Sequence, residues 1–178
     1  MRTIIAITAA LAIGLTSAVA QTATLTDFEK SFAKDLVKLG TRTSPNGNER
    51  SDVQNVEDFE PSKYYAIYFS AHWCPPCRAF TPKLVETYND LKQNNGAFEL
   101  IFASSDKDRG AMEGYMEWGS MPWLALKFSA KDDLDRFASR GIPYMVIVDR
   151  EGNKLWPEGS DWVHPSQGLG ELKKLALN

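Results

Sequence analysis

Residues 72–80 read HWCPPCRAF and hold both cysteines of the chain, Cys74 and Cys77, with two prolines between them. Three chemistries use such a pair. Two thiols at this spacing can exchange electrons with a disulfide, two thiolates can form half of a metal site, or two sulfurs can close a structural staple. A staple across so small a loop removes little entropy from the unfolded chain. A structural zinc takes four ligands, and the two histidines, His72 and His164, do not complete a shell by spacing. Redox chemistry therefore leads, with metal handling and the staple left open.

The elements around the pair decide what the sulfurs can do. Tyr64 to Ala71, YYAIYFSA, is a continuous apolar and aromatic run that fits a strand covered on both faces. A helix follows from Pro75 or Pro76 to Leu91, with Phe80, Leu84, Tyr88 and Leu91 on its apolar side and Pro82 expected to kink it. Cys74 then stands at a helix start, where unpaired N–H groups and the positive dipole end favour an anion. A thiolate there is expected to form below the ordinary thiol value of about 8.5. Cys74 is the expected nucleophile and good leaving group, and Cys77, one turn further in, the resolving thiol. Pro76 costs nothing in the first turn, and Pro75 stiffens the approach.

Further along, Phe98 to Ser104 reads as a second buried strand, Ser105 to Trp118 as a helix, Asp132 to Arg140 as a short helix, and Tyr144 to Asp149 as a third strand. Arg150 to Asn153 is a hairpin turn into Lys154 to Trp156, and Ser166 to Leu177 an amphipathic helix. Before the pair, Leu25 to Gly40 starts as a helix, with Thr26 and Glu29 as a capping box, although Leu36 to Leu39 could equally begin a strand. Thr41 to Asn55 is polar and reads as a turn or mobile loop. The alternation of strand and helix, then a hairpin, predicts an α/β fold with a central mixed β-sheet flanked by helices.

The chain has 178 residues, 43% hydrophobic and 24% charged, with net charge −3. That is ample for a packed domain and unsuited to nucleic acid, since no basic patch would displace counterions. Arg2, the apolar run Ile4 to Leu15 and Ala18-Val19-Ala20 read as a cleaved signal peptide, with a retained anchor as the alternative. The expected division is signal peptide 1–20, N-terminal extension 21–60 and main domain 61–178. The expected address is periplasmic or secreted, with no membrane anchor after cleavage.

YFSAHWCPPCRAFTPKL resembles the active-site segment of the tryparedoxin and nucleoredoxin group in the thioredoxin superfamily. The resemblance continues in ASSDKD, in MPWLAL at 121–126 and in GIPYMVIVDREG at 141–152. It implies a thioredoxin-like fold and thiol–disulfide exchange through Cys74 and Cys77 with Cys74 as nucleophile, and the leading expectation is an exported thiol–disulfide oxidoreductase that reduces protein disulfides. It also implies a cis bond before Pro143 that presents the Ile142 backbone to an extended substrate, where the residues alone allow an ordinary trans proline, and Trp123 as a flat docking wall, where the residues alone suggest a core position. Where broader thioredoxins place a buried acid, this chain has Tyr68, so no carboxylate is expected to serve Cys77. Where the group has proline after LAL, this chain has Lys127.

Trp73 is expected to pack over the sulfurs or to sit half-buried at the strand end. His72 and Arg78 are candidate electrostatic neighbours, and Met112, Met116 and Met121 are core filler. The expected partners are a protein or small-molecule disulfide and a redox partner that resets the dithiol, and no cofactor is called for. The competing readings are a non-catalytic module that grips extended polypeptides, suggested by Thr41 to Asn55, and a metal-handling thiol protein.

Overall fold

The structure is a computed structural model that describes residues 24–159 and 162–178. The signal-peptide segment read at 1–20 lies outside the described residues. Helix α1 (Asp27–Phe32) starts on the expected capping box, with Thr26 and Glu29 each satisfying the other's backbone N–H. It stops well before Gly40. A 3₁₀ turn at Ala33–Asp35 leads into β1 (Leu36–Thr43), because Leu36 to Lys38 pair antiparallel with Leu124 to Leu126. The polar segment read as a loop is instead a hairpin, β1 turning at Gly47 into β2 (Glu49–Asn55). Gly47 has φ +81° there, a conformation that suits glycine. As the sheet's outer edge, β2 needs backbone pairing and not a buried apolar face, so its polar sequence hid it.

Strand β3 (Tyr64–Ser70) leads into α2 (Pro75–Gln93), which runs through Pro82 as one helix. Then come β4 (Phe98–Ser104), α3 (Arg109–Trp118), β5 (Leu124–Leu126), β6 (Tyr144–Asp149), β7 (Lys154–Trp156) and α4 (Gly168–Ala176). The short β5 was not expected from its three residues. The helix expected over 132–140 reduces to a 3₁₀ turn at Asp135–Phe137, where only Leu134 is fully buried as an anchor.

The seven strands form one mixed sheet in the order β2-β1-β5-β4-β3-β6-β7. β3, β4 and β5 are mutually parallel, while β6 and β7 complete an antiparallel side, as the alternation and late hairpin implied. β3 is central, and its alternate residues enter opposite cores. Ala66 and Tyr68 join the cluster under α2, α3 and α4, and Tyr65, Ile67 and Phe69 join the cluster under α1. Met112, Met116 and Met121 are buried in the first cluster, as core filler should be. Among the described residues, no helix is long and apolar enough to cross a membrane.

The second face also buries a charge. Arg150 donates from Nε and Nη2 to the Glu29 carboxylate, both at 2.8 Å, and the Tyr65 hydroxyl donates at 2.6 Å. Burial pushes the Glu29 carboxyl up, but these bonds and the Thr26 N–H outweigh it and hold it below its ordinary value.

Candidate functional site

The turn from β3 to α2 places the cysteines. The Cys74 N–H donates to the Ala71 carbonyl at 3.2 Å, and Cys74 then caps α2 with an extended backbone. Its sulfur accepts the Cys77 N–H at 3.3 Å. Pro75 and Pro76 fill the next two positions and have no N–H to offer. The Arg78 N–H goes to the Cys74 carbonyl at 3.1 Å. Cys77 is thus the one first-turn donor aimed at that sulfur. The two sulfurs are joined as a disulfide, with Cα atoms 5.2 Å apart.

The pair is asymmetric in access. Cys74 is 3% exposed but lines an open groove of about 530 Å³ with Pro75, Pro76 and Ile142. Cys77 is 0% exposed and packs in the core. The Ile142 carbonyl oxygen lies 3.8 Å from the Cys74 sulfur, and the Ile142–Pro143 bond is cis. Among the described residues, neither the N–H nor the carbonyl of Ile142 has a backbone hydrogen-bond partner. That leaves an unpaired backbone step facing the sulfur, suited to an extended chain.

Trp73 is 56% exposed, with its indole N–H on the Ser105 carbonyl at 3.1 Å. It stands as a ridge between the Cys74 groove and a neighbouring one lined by His72, Arg78 and Asp106. It is not a lid over the sulfurs. Trp123 must be corrected outright. It is 0% exposed, packs edge-on to Tyr68 and Tyr88, and cannot form a docking wall. Being apolar and large, its ring gains more from the core than from the groove. Arg78 does not face the sulfur freely, since its guanidinium donates to the His72 carbonyl, and the His72 ring stacks on Tyr115 at 5.2 Å.

Beneath Cys77 lies a group the sequence reading only half found. Tyr68, Ser70, Thr81 and Tyr115 join their hydroxyls at 2.6–3.0 Å. Thr81 also donates to the Cys77 carbonyl at 3.0 Å. Burial pushes the Tyr68 phenol up, so it remains protonated. Thr81 carries a signal in its place one turn after Cys77, whereas Tyr115 carries none beyond its place in the helix expected over Ser105 to Trp118. Also missed were Asp106 and Trp162. Asp106 is buried, takes the His72 N–H at 2.8 Å and so ties the turn before Cys74 to the end of β4. Trp162 donates its indole N–H to the Pro143 carbonyl at 3.1 Å, behind the Ile142 step. Among the described residues, no group of three or more His, Cys, Asp or Glu could hold a metal ion.

A family model described as thioredoxin-like matches residues 62–154. Probable nucleoredoxin 1 of Arabidopsis thaliana is 49% identical over 104 residues, which is 57% of this chain and 18% of that protein. Human nucleoredoxin is 35% identical over 115 residues, 62% of this chain and 26% of its own length. The chain therefore spans only a minor part of either relative. The thioredoxin of Wuchereria bancrofti superposes with TM-score 0.57 at 29% identity, over 79% of this chain and 94% of its own. Tryparedoxin I of Crithidia fasciculata also reaches 0.57, at 27% identity over 81% and 90%. The mixed sheet flanked by helices is thus a thioredoxin-like fold.

The relatives correct one expectation. Nucleoredoxins of plants and animals are typically cytosolic or nuclear, so the periplasmic or secreted address does not stand. A short apolar run before small residues is a compositional pattern, and it outweighed the kinship of the folded part in that reading.

Proposed function

The chain belongs to the thioredoxin-like family, and from that premise we propose that it is a thiol–disulfide oxidoreductase of the protein-disulfide reductase type. Cys74, as thiolate, attacks one sulfur of a substrate disulfide. That S–S bond breaks, a mixed disulfide forms through Cys74, and the other substrate sulfur leaves as a thiolate. Cys77 loses its proton to solvent and attacks the Cys74 sulfur. The Cys74–Cys77 disulfide closes, and the second substrate thiolate departs. Two electrons pass to the substrate, and a dithiol donor reopens the closed pair.

The observation that carries this reading is the asymmetry of the pair: Cys74 caps α2 and lines an open groove, while Cys77 is enclosed one turn behind it. The direction is supported by the donor count. Pro75 and Pro76 leave Cys77 as the one first-turn N–H on the Cys74 sulfur. One first-turn donor stabilises the thiolate less than a full set would, which shifts the balance toward the closed disulfide and makes the pair a better electron donor. Ile142 and Pro143 supply the extended docking step, Trp73 its side wall, and Pro75, Pro76 and Tyr68 set the turn and the floor.

The test uses insulin as disulfide substrate and dithiothreitol as donor. Wild type reduces insulin, Cys74→Ser does not, and Cys77→Ser accumulates a mixed disulfide through Cys74 visible by mass. Absence of both turnover and adduct overturns the reading.

A further inference from the structure

The groove that exposes Cys74 has a charge opposite to that of the molecule. The chain carries net charge −3, yet among the described residues the one ionisable side chain lining this groove apart from Cys74 is Arg140. Arg140 is exposed and, among the described residues, forms no ion pair. Ser105 and Ser139 add hydroxyls to the same wall. The positive end of α2 opens here too, and its first turn carries no acidic side chain. The nearby acids are turned to other work beyond the Trp73 ridge. Asp106 holds the His72 N–H and the Ser104 hydroxyl, and Asp108 caps α3 through the Ala111 N–H. They share that second groove with Lys107 and Arg78.

Arg140 also stands two residues before Ile142, the unpaired backbone step against the sulfur. An extended chain rises about 3.3 Å per residue. A peptide paired along this step with its cysteine at Cys74 brings the side chains flanking that cysteine within reach of Arg140. Resting on the exchange proposed above, the geometry points to Arg140 as a specificity residue that selects peptide disulfides with a carboxylate beside the reacting cysteine. The guanidinium meets the carboxylate before any bond between sulfurs forms, so the residue acts on capture and not on the exchange itself.

The test uses two peptide disulfides of equal length, one flanked by glutamates and one by lysines, and follows oxidation of the reduced protein in single turnovers. Wild type prefers the glutamate peptide by about threefold to fivefold at low salt, the range of one exposed charge pair. The preference falls as salt screens it. Arg140→Gln removes it, and Arg140→Glu reverses it. Equal rates in wild type, or an unchanged ratio in Arg140→Glu, overturn the inference and leave the exchange standing. If neither peptide nor insulin is reduced, the exchange itself falls and takes the inference with it.

Discussion

Each face of the sheet buries a polar network, and the two are made of different groups. Beneath the disulfide, four hydroxyls satisfy one another and reach Cys77 through Thr81. Across the sheet, a full carboxylate on Glu29 is met by Arg150 and Tyr65 and ties α1 to the turn between β6 and β7. A buried charge acts over distance and shifts the ionisation of groups near it. Hydroxyls have no net charge and can rotate their protons to suit either state of a neighbour. The hydroxyl cluster under the sulfurs therefore adds no fixed charge of its own to bias a thiolate, and the face away from them uses charge for cohesion.

That division can be broken experimentally. Arg150→Ala strands the Glu29 carboxylate and should cost about 3 kcal/mol in urea unfolding. Activity per folded molecule should stay within about twofold, since distant sites act independently. A parallel loss of activity would show that the two faces are coupled. Acid should remove a smaller part of the same contribution. Glu29 ionises below its ordinary 4.5 when folded, so its stabilisation is complete above that value and is lost as pH falls through the lower folded value. The stability gap between wild type and Glu29→Gln should narrow below pH 4.5 and be constant above it. Thr81→Val keeps the shape, removes one hydroxyl and should cost about 1 kcal/mol. The pH profile of Cys74 alkylation should not move in that variant, and a displaced profile would mean that the hydroxyl cluster is not electrically neutral toward the sulfurs.

Legibility followed the range of the forces. The run at β3, the cap at Thr26 and the start of α2 were read because their signals lie within one turn or one strand. The Ile142–Pro143 cis bond came from resemblance, not from any local cue. Trp123 was misplaced because a Met-Pro-Trp segment names an aromatic but not the side it faces. β1, β2 and β5 were missed or left ambiguous because their pairing partners lie elsewhere in the chain, and polar strands lack apolar alternation. Leu25 to Gly40 shows the contest directly: its apolar spacing suggests more helix, and pairing with β5 takes Leu36 to Lys38 away from it.

By itself the sequence determined the order of β3, α2, β4, α3, β6, β7 and α4, the capping position of Cys74, the two prolines that withhold donors, and the enclosed place of Cys77. All of these are set by residues within a few positions of one another. Only the tertiary structure decided that Ile142 faces a sulfur 68 residues away, that Arg150 meets Glu29 across 121, and that Tyr115 meets Thr81 across 34. Local sterics and hydrogen bonds choose a helix start, but which side chains share a buried volume depends on how the whole sheet closes its two cores.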